Sequence, residues 1–299
     1  MKKVFFALMA AMAVMTISCN KNNPGGGDEP TQLANPEYRI TTLYQGWKDG
    51  AQKNSADSYI YTWNTDGTIA KVDLAWNTEI YSSYVFTWSG NTVTVTDAKK
   101  DNAPVCTITV NDKKSAIKIE QAANSEVGKD WKKLEMKYDD NNFLTLVKKD
   151  DDVITVQVID EDGNIDWWGR IGVAENISES TTATGWRKKI HTYYGTVNNG
   201  GVHGEWNEDS KVKRWFYETG LMGRASVNIM RTAWWYGIVD GDVVKPEYAE
   251  KLAYYPLDVD ANNCIKQELK LYDKKEKYEA DPATMAVDYR VAFEFEKIK

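Results

Sequence analysis

The sequence predicts an all-β protein, an antiparallel meander of repeated hairpins, on three observations. Apolar and polar residues alternate with a period of two through short runs rich in Val, Ile, Thr and aromatic residues. These runs recur about every 8 to 12 residues and are separated by clusters of Asp, Asn and Gly, the punctuation of tight turns. No stretch sustains a 3.6-residue apolar period, and the best helical candidate is short, Pro246 to Leu252, with proline in its first turn.

The chain begins with a segment that is not part of that fold. Met1-Lys2-Lys3 is basic, Val4 to Met15 is apolar, and Thr16-Ile17-Ser18-Cys19 follows. The apolar run is too short to span a bilayer as a permanent helix, so residues 1–18 read as a signal peptide. A small residue before a cysteine at this place resembles the lipobox of bacterial lipoproteins, which implies cleavage before Cys19 and acylation of its thiol. Asn20 in the next position implies, by the same resemblance, sorting to the outer membrane, with the face undetermined. Residues 19–37 are rich in Gly, Pro and polar side chains and read as a flexible tether.

From Tyr38 the hairpins follow in order. Tyr59-Ile60-Tyr61-Thr62-Trp63 runs into Asn64-Thr65-Asp66-Gly67 and resumes as Thr68 to Val72, a strand, a turn that tolerates positive φ, and a strand. The same pattern returns at Tyr84-Val85-Phe86-Thr87-Trp88, with Ser89-Gly90-Asn91 as the turn and Thr92 to Thr96 as the second strand. A weaker third copy is Leu134, Met136 and Tyr138, then Asp139 to Asn142, then Phe143 to Leu146. Further strands are predicted at Cys106 to Val110, Ala116 to Ile119, Val153 to Ile159, Asn164 to Trp168 and Val287 to Phe295. One β domain over residues 38–299 is expected; the alternative is a subdivision near 185–204, where Asn198-Asn199-Gly200-Gly201 breaks the pattern.

Composition narrows the chemistry. Of 299 residues, 37 are Lys or Arg and 44 Asp or Glu, a net charge of −7. That balance excludes nucleic acid as a partner, since phosphate binding needs a dense basic surface. Three cysteines and two histidines without a CxxC pair give no basis for a metal site, and no cofactor is expected. Neither His191 nor His203 sits in a nucleophile motif. Asp258-Val259-Asp260-Ala261-Asn262 opens like a calcium loop, but Asn263 and Leu269 stand where glycine and glutamate are needed. Cys106 and Cys264 remain after lipidation, and outside the cytoplasm they either bridge or stay reduced. Glu205, Glu208 and Asp209 are the local candidates for carboxylate-pair hydrolysis, against the commoner reading as solvated loop acids.

Aromatic residues make up 12% of the chain. Most are expected to pair across strands or fill the core. Those left open to ligand binding are Trp206, Trp215, Tyr217, Trp234, Trp235 and Tyr236. In a strand, Trp215 would share a face with Tyr217, and Trp234 with Tyr236.

The unit carried by Tyr59, Tyr61, Trp63, Asp66, Gly67 and Ile69, repeated from Tyr84 and in Asp162-Gly163-Asn164-Ile165, resembles the tyrosine-aspartate hairpin repeats of bacterial shell proteins. It is also similar to Bacteroides-type outer-membrane lipoproteins of unknown function with a porin-like β fold. That resemblance implies a meander curling into an open or barrel-like sheet, and it brings no catalytic residues. The functional expectation is a non-enzymatic, lipid-anchored envelope protein that binds an extracellular glycan or a partner protein. The alternatives are a purely structural envelope lipoprotein or a carboxylate-dependent glycoside hydrolase.

Overall fold

Strand formation follows from the alternation itself. In Thr92–Asp97, Val93, Val95 and Asp97 are buried while Thr92 and Thr94 are exposed, the period-two signature of a sheet with one covered face. A computed structural model describes residues 35–47, 57–123, 125, 127, 131–171, 186–203, 212–240, 243–244, 251–273 and 286–298. Residues 1–34, with the expected signal peptide, Cys19 and most of the expected tether, lie outside these. Residues Leu33–Lys299 form one compact unit.

The strands are β1 (Tyr38–Trp47), β2 (Asp57–Trp63), β3 (Ile69–Trp76), β4 (Glu79–Ser89), β5 (Thr92–Asp97) and β6 (Ala103–Val110). They continue as β7 (Ala116–Gln121), β8 (Lys133–Tyr138), β9 (Leu144–Lys149), β10 (Asp152–Ile159), β11 (Ile165–Ile171) and β12 (Trp186–Val197). After the short helix α1 (Arg214–Tyr217) come β13 (Asn228–Asp240), β14 (Val243–Val244), β15 (Lys251–Val259), β16 (Ile265–Asp273) and β17 (Ala286–Lys297). Every described pairing within this sheet is antiparallel, and each strand pairs with its neighbours in sequence, with β13 also reaching β15 past β14. β1 lies between β2 and β17, so the ladder returns to its first strand and the sheet is barrel-like. The all-β meander and its predicted hairpins are therefore present. Of the expected helix at Pro246 to Leu252, Lys251 and Leu252 are instead in β15 and the rest lies outside the described residues. Trp186–Val197 is one continuous strand across the start of the suspected subdivision.

Five hairpins use one turn. In Asn64–Thr68, Asn111–Ser115, Asp139–Phe143, Asp160–Asn164 and Asp260–Cys264 the first N–H donates to the carbonyl of the fifth residue, and the fourth N–H to the carbonyl of the first. The fourth residue has positive φ: Gly67 at 83°, Gly163 at 80°, and Lys114, Asn142 and Asn263 at 64°, 71° and 60°. In four of the five, the first side chain also accepts the N–H of the third and fifth residues. This is a three-residue loop with a bulge, and the register steps by one just beyond each turn. Strand alternation puts all five at one end of the sheet. The chain also enters at this end, where Tyr38 pairs with Lys297.

Among the described residues the inner face is mostly apolar and packed. Ile69, Val72, Tyr61, Tyr84, Phe86, Val93, Ile108 and Ile119 belong to one buried cluster, together with Val202, Val212, Trp215, Phe216, Leu221 and Met222 from the β12–β13 connection. That connection acts as a plug. The outer face across β4–β9 is polar, with cross-strand rows Thr87, Thr94, Thr107, Glu120, Lys133 and Ser89, Thr92, Thr109, Lys118, Glu135, Lys148.

Candidate functional site

The plug is fixed to the wall by polar contacts at several points. Asn198 Nδ2 donates to Val202 O and Ser226 O at 2.9 and 3.1 Å, closing the base of the connection. Tyr61 Oη donates to Trp215 O at 3.0 Å, and Tyr138 Oη directs its single hydrogen to Ala116 O at 2.8 Å, with Leu221 O the more distant acceptor at 3.3 Å. Burial pushes both hydroxyls well above the ordinary tyrosine range, so they stay protonated donors.

Between the plug, the entering chain and β1–β2 lies a cleft of about 230 Å3 at the turn end, lined by Tyr38, Arg39, Trp63, His203, Tyr217, Glu218 and Arg224, with Pro36 as one wall. The Trp63 indole donates to Ile40 O at 2.9 Å, and the Arg39 guanidinium sits 5.2 Å from the centre of its ring. His203 is edge-on to Tyr217 at 5.7 Å. The backbone N–H of His203 donates to Glu218 Oε2 at 3.4 Å. Glu218 Oε1 is 3.9 Å from Arg214 Nε, with both side chains almost fully buried. Arg214 in turn stacks 5.3 Å from the Phe293 ring, so its charge is offset on two sides. Burial, and then the Arg214 charge, pushes His203 down to about 4. It is a neutral imidazole at neutral pH.

The cleft can hold a small polar group between rings and guanidinium groups. Among its described lining residues Glu218 is the one carboxylate, whereas carboxylate-pair hydrolysis needs two at close separation. Glu205, Glu208 and Asp209 lie outside the described residues, as does Trp206.

The remaining expected site residues separate. Tyr217 does line the cleft. Trp215 does not face a ligand: it is 1% exposed, 5.1 Å from Tyr84 and 5.5 Å from Phe216. The shared face expected for Trp215 and Tyr217 fails because the segment is one turn of helix, not a strand. Trp234 and Trp235 are in β13, opposite Ile190 and Lys189, and Tyr236 follows; their side chains lie outside the described ones. Cys106 and Cys264 are both free and buried. Between β6 and the β15–β16 turn stand β5, β4, β3, β2, β1 and β17, too many strand widths for a bond that needs Cα atoms within about 7 Å. Burial pushes their thiols up to about 12 and about 11, so neither is a ready nucleophile. Asp260 is engaged as a turn cap, and no metal-binding cluster occurs among the described residues. Arg214, Glu218 and Arg224 were missed because a loosely patterned loop gives no periodic signal of burial.

A barrel-like antiparallel meander, with the β12–β13 connection packed against its described inner face, is the class these features define. The chain is similar in fold to a porin-like protein from Bacteroides uniformis, with a TM-score of 0.54 at 13% identity, over 90% of this chain and 100% of that one. A porin-like protein from Bacteroides vulgatus gives a TM-score of 0.44 at 10% identity, over 86% and 98%. No protein-family model matches the sequence, and no curated protein matches it.

Proposed function

We propose that this chain is a non-enzymatic, lipid-anchored protein of the cell envelope, held at the outer membrane through Cys19, whose barrel-like domain is a filled scaffold that binds an extracellular glycan. The observation that carries the reading is the plug, with Trp215 at 1% and Phe216 at 0% exposure where a conducting barrel would hold water. The outer face supports it. Barrels that cross a membrane turn an apolar band outward, whereas β4–β9 turn out Thr, Lys and Glu. The name of the Bacteroides neighbours therefore extends to this chain in fold, and transport is not part of the reading. Acyl chains on Cys19 supply membrane affinity that the acidic chain lacks, at about 0.8 kcal/mol per buried CH₂.

The test has two arms. Cys19→Ala is expected to move the protein from the membrane to the soluble fraction and to abolish palmitate labelling; persistent labelling overturns the anchor. Purified full chain in planar bilayers is expected to give no conductance steps, and reproducible steps overturn the filled-scaffold reading. Retention of the full chain in gels containing polysaccharide tests the ligand class.

A further inference from the structure

The turn-end cleft differs from the rest of the molecule in charge. The chain as a whole is acidic, with a net charge of −7, yet the described lining of this cleft brings together two guanidinium groups, Arg39 and Arg224. The carboxylate in that lining, Glu218, is sealed from the open space. Its side chain is 0% exposed and lies 3.9 Å from Arg214 Nε, whose side chain is 1% exposed. His203 carries no charge at neutral pH.

Arg39 is the better placed of the two guanidinium groups. Its Nε donates to Glu296 Oε1 at 2.7 Å, and its guanidinium lies 5.2 Å from the centre of the Trp63 ring. These contacts fix the group while using one N–H. Among the described residues its two Nη groups have no hydrogen-bond partner. Glu296 is 47% exposed, so solvent weakens its hold on the Arg39 charge. Arg224 lies 5.0 Å from the centre of the Phe143 ring; burial lowers its pKa, and the Asp139 charge acts in the opposite sense. Tyr38 opens β1 beside Arg39, on the same face as the buried Ile40. Its hydroxyl has no hydrogen-bond partner among the described residues.

The Nη hydrogens of a planar guanidinium match a carboxylate, and such charge-assisted bonds are about twice as strong as neutral ones. Volume sets the size of the occupant. Sites that enclose a drug-sized ligand run from about 300 Å3 upward, and this cleft, at about 230 Å3, holds one ring-sized unit. Tyr38, Trp63 and Tyr217 give that unit aromatic walls, which suit the C–H faces of a sugar ring. Exposed acids of the neighbouring turns, such as Asp66, Asp140 and Asp162, act through solvent and are screened over about 8 Å at physiological salt, whereas the guanidinium groups line the cleft itself.

We infer that the turn-end cleft binds a single carboxylate-bearing sugar residue, a hexuronate unit of an acidic glycan, through the Arg39 guanidinium and the Tyr38 hydroxyl. The inference rests on the glycan reading above and adds the place and the charge class.

Full chain and the variants Arg39→Gln, Tyr38→Phe and Ile117→Thr are titrated calorimetrically with trimers of galacturonate, mannuronate and guluronate, and with the neutral galacto- and mannotriose. The expected result is binding of at least one uronate trimer by the parent chain, with the neutral trimers roughly tenfold weaker or worse. Arg39→Gln should weaken the uronate roughly tenfold and bring it level with the neutral sugar, and Tyr38→Phe should weaken it roughly threefold. Ile117→Thr, at an exposed site away from the cleft, should leave binding unchanged. Uronate binding that survives both cleft substitutions, or neutral trimers that bind as tightly as uronates, overturns the inference and leaves the glycan reading standing. Acetate that competes as well as free galacturonate also overturns it, since the sugar ring then contributes nothing. No binding by the parent chain to these sugars or to a wider glycan array overturns both.

Discussion

The indole Nε1 of Trp88 donates to the carbonyl of Ile69 at 2.8 Å, and Ile69 is the first residue of β3 beyond the Asn64–Thr68 turn. Tyr138 stands in the same relation to Ala116, and Tyr193 to Ile165, at 2.8 and 3.0 Å. In each case the acceptor opens a strand where the register steps by one. A bulge disturbs the ladder at that point, and a ring donor from the following strand supplies the partner. The aromatic repeat is thus a device for finishing bulged hairpins, which explains why its rings point inward.

Trp88→Phe keeps the ring and removes the donor. The expected cost is about 1 kcal/mol, the net worth of one hydrogen bond at a part-buried carbonyl. Urea denaturation should show a lower midpoint at unchanged slope, and an unchanged midpoint would mean that the indole N–H contributes only packing.

Gly223 and Gly220 both have positive φ, at 81° and 76°, but only Gly223 is crowded: a Cβ there would lie 2.5 Å from Asn142 O and 2.7 Å from the Tyr138 ring. Gly220→Ala should cost about 1 kcal/mol for backbone strain alone. Gly223→Ala should cost clearly more, because backbone of the β8–β9 turn must give way. Equal losses in thermal unfolding would refute the close approach of plug and wall.

Trp215→Ala removes the largest fully buried side chain among the described residues. A loss of about 3 to 5 kcal/mol is expected, the range for a buried aromatic, and near-UV circular dichroism should lose the corresponding signal. Ile117→Thr is the contrast. Ile117 is the exposed residue at the β7 register step, and its replacement should change stability by less than about 0.5 kcal/mol.

His203 sets a pH dependence. Its folded-state pKa, about 4, lies below the unfolded value near 6.5, so between these pH values the unfolded chain binds the extra proton. The stability is fully present above pH 6.5 and is lost as pH falls towards 4, by a total of about 3 kcal/mol. His203→Gln should flatten the urea midpoint across that window; an unaltered slope would place the acid sensitivity elsewhere.

At the turns, Asp260→Ala should cost about 1 kcal/mol through the lost acceptors for Asn262 and Cys264. Burial alone would raise the Asp260 pKa, but those two amides, with Lys266, hold it below the usual carboxylate range. The contribution is therefore present above about pH 4 and fades as pH falls through the folded pKa. Denaturation at pH 7 and pH 3 should show a smaller Asp260→Ala penalty at the lower pH, and equal penalties would mean that the carboxylate charge does not carry the capping energy.

What the sequence determined by itself was local: the strands, the turns at Asn64, Asp139 and Asp160, and the repeat of Tyr59, Tyr61 and Trp63 at Tyr84, Phe86 and Trp88. Alternation and turn chemistry act between near neighbours, and a period of two survives in the letters. The tertiary structure decided which rings are covered. Trp215 and Tyr217 looked like one face of a strand, but a plug entering the sheet makes Trp215 core and leaves Tyr217 on a cleft wall. Cys106 and Cys264 looked like candidate partners until six strands were found between them. Burial and proximity are sums over contacts from distant parts of the chain, and only closing β17 onto β1 fixes those sums.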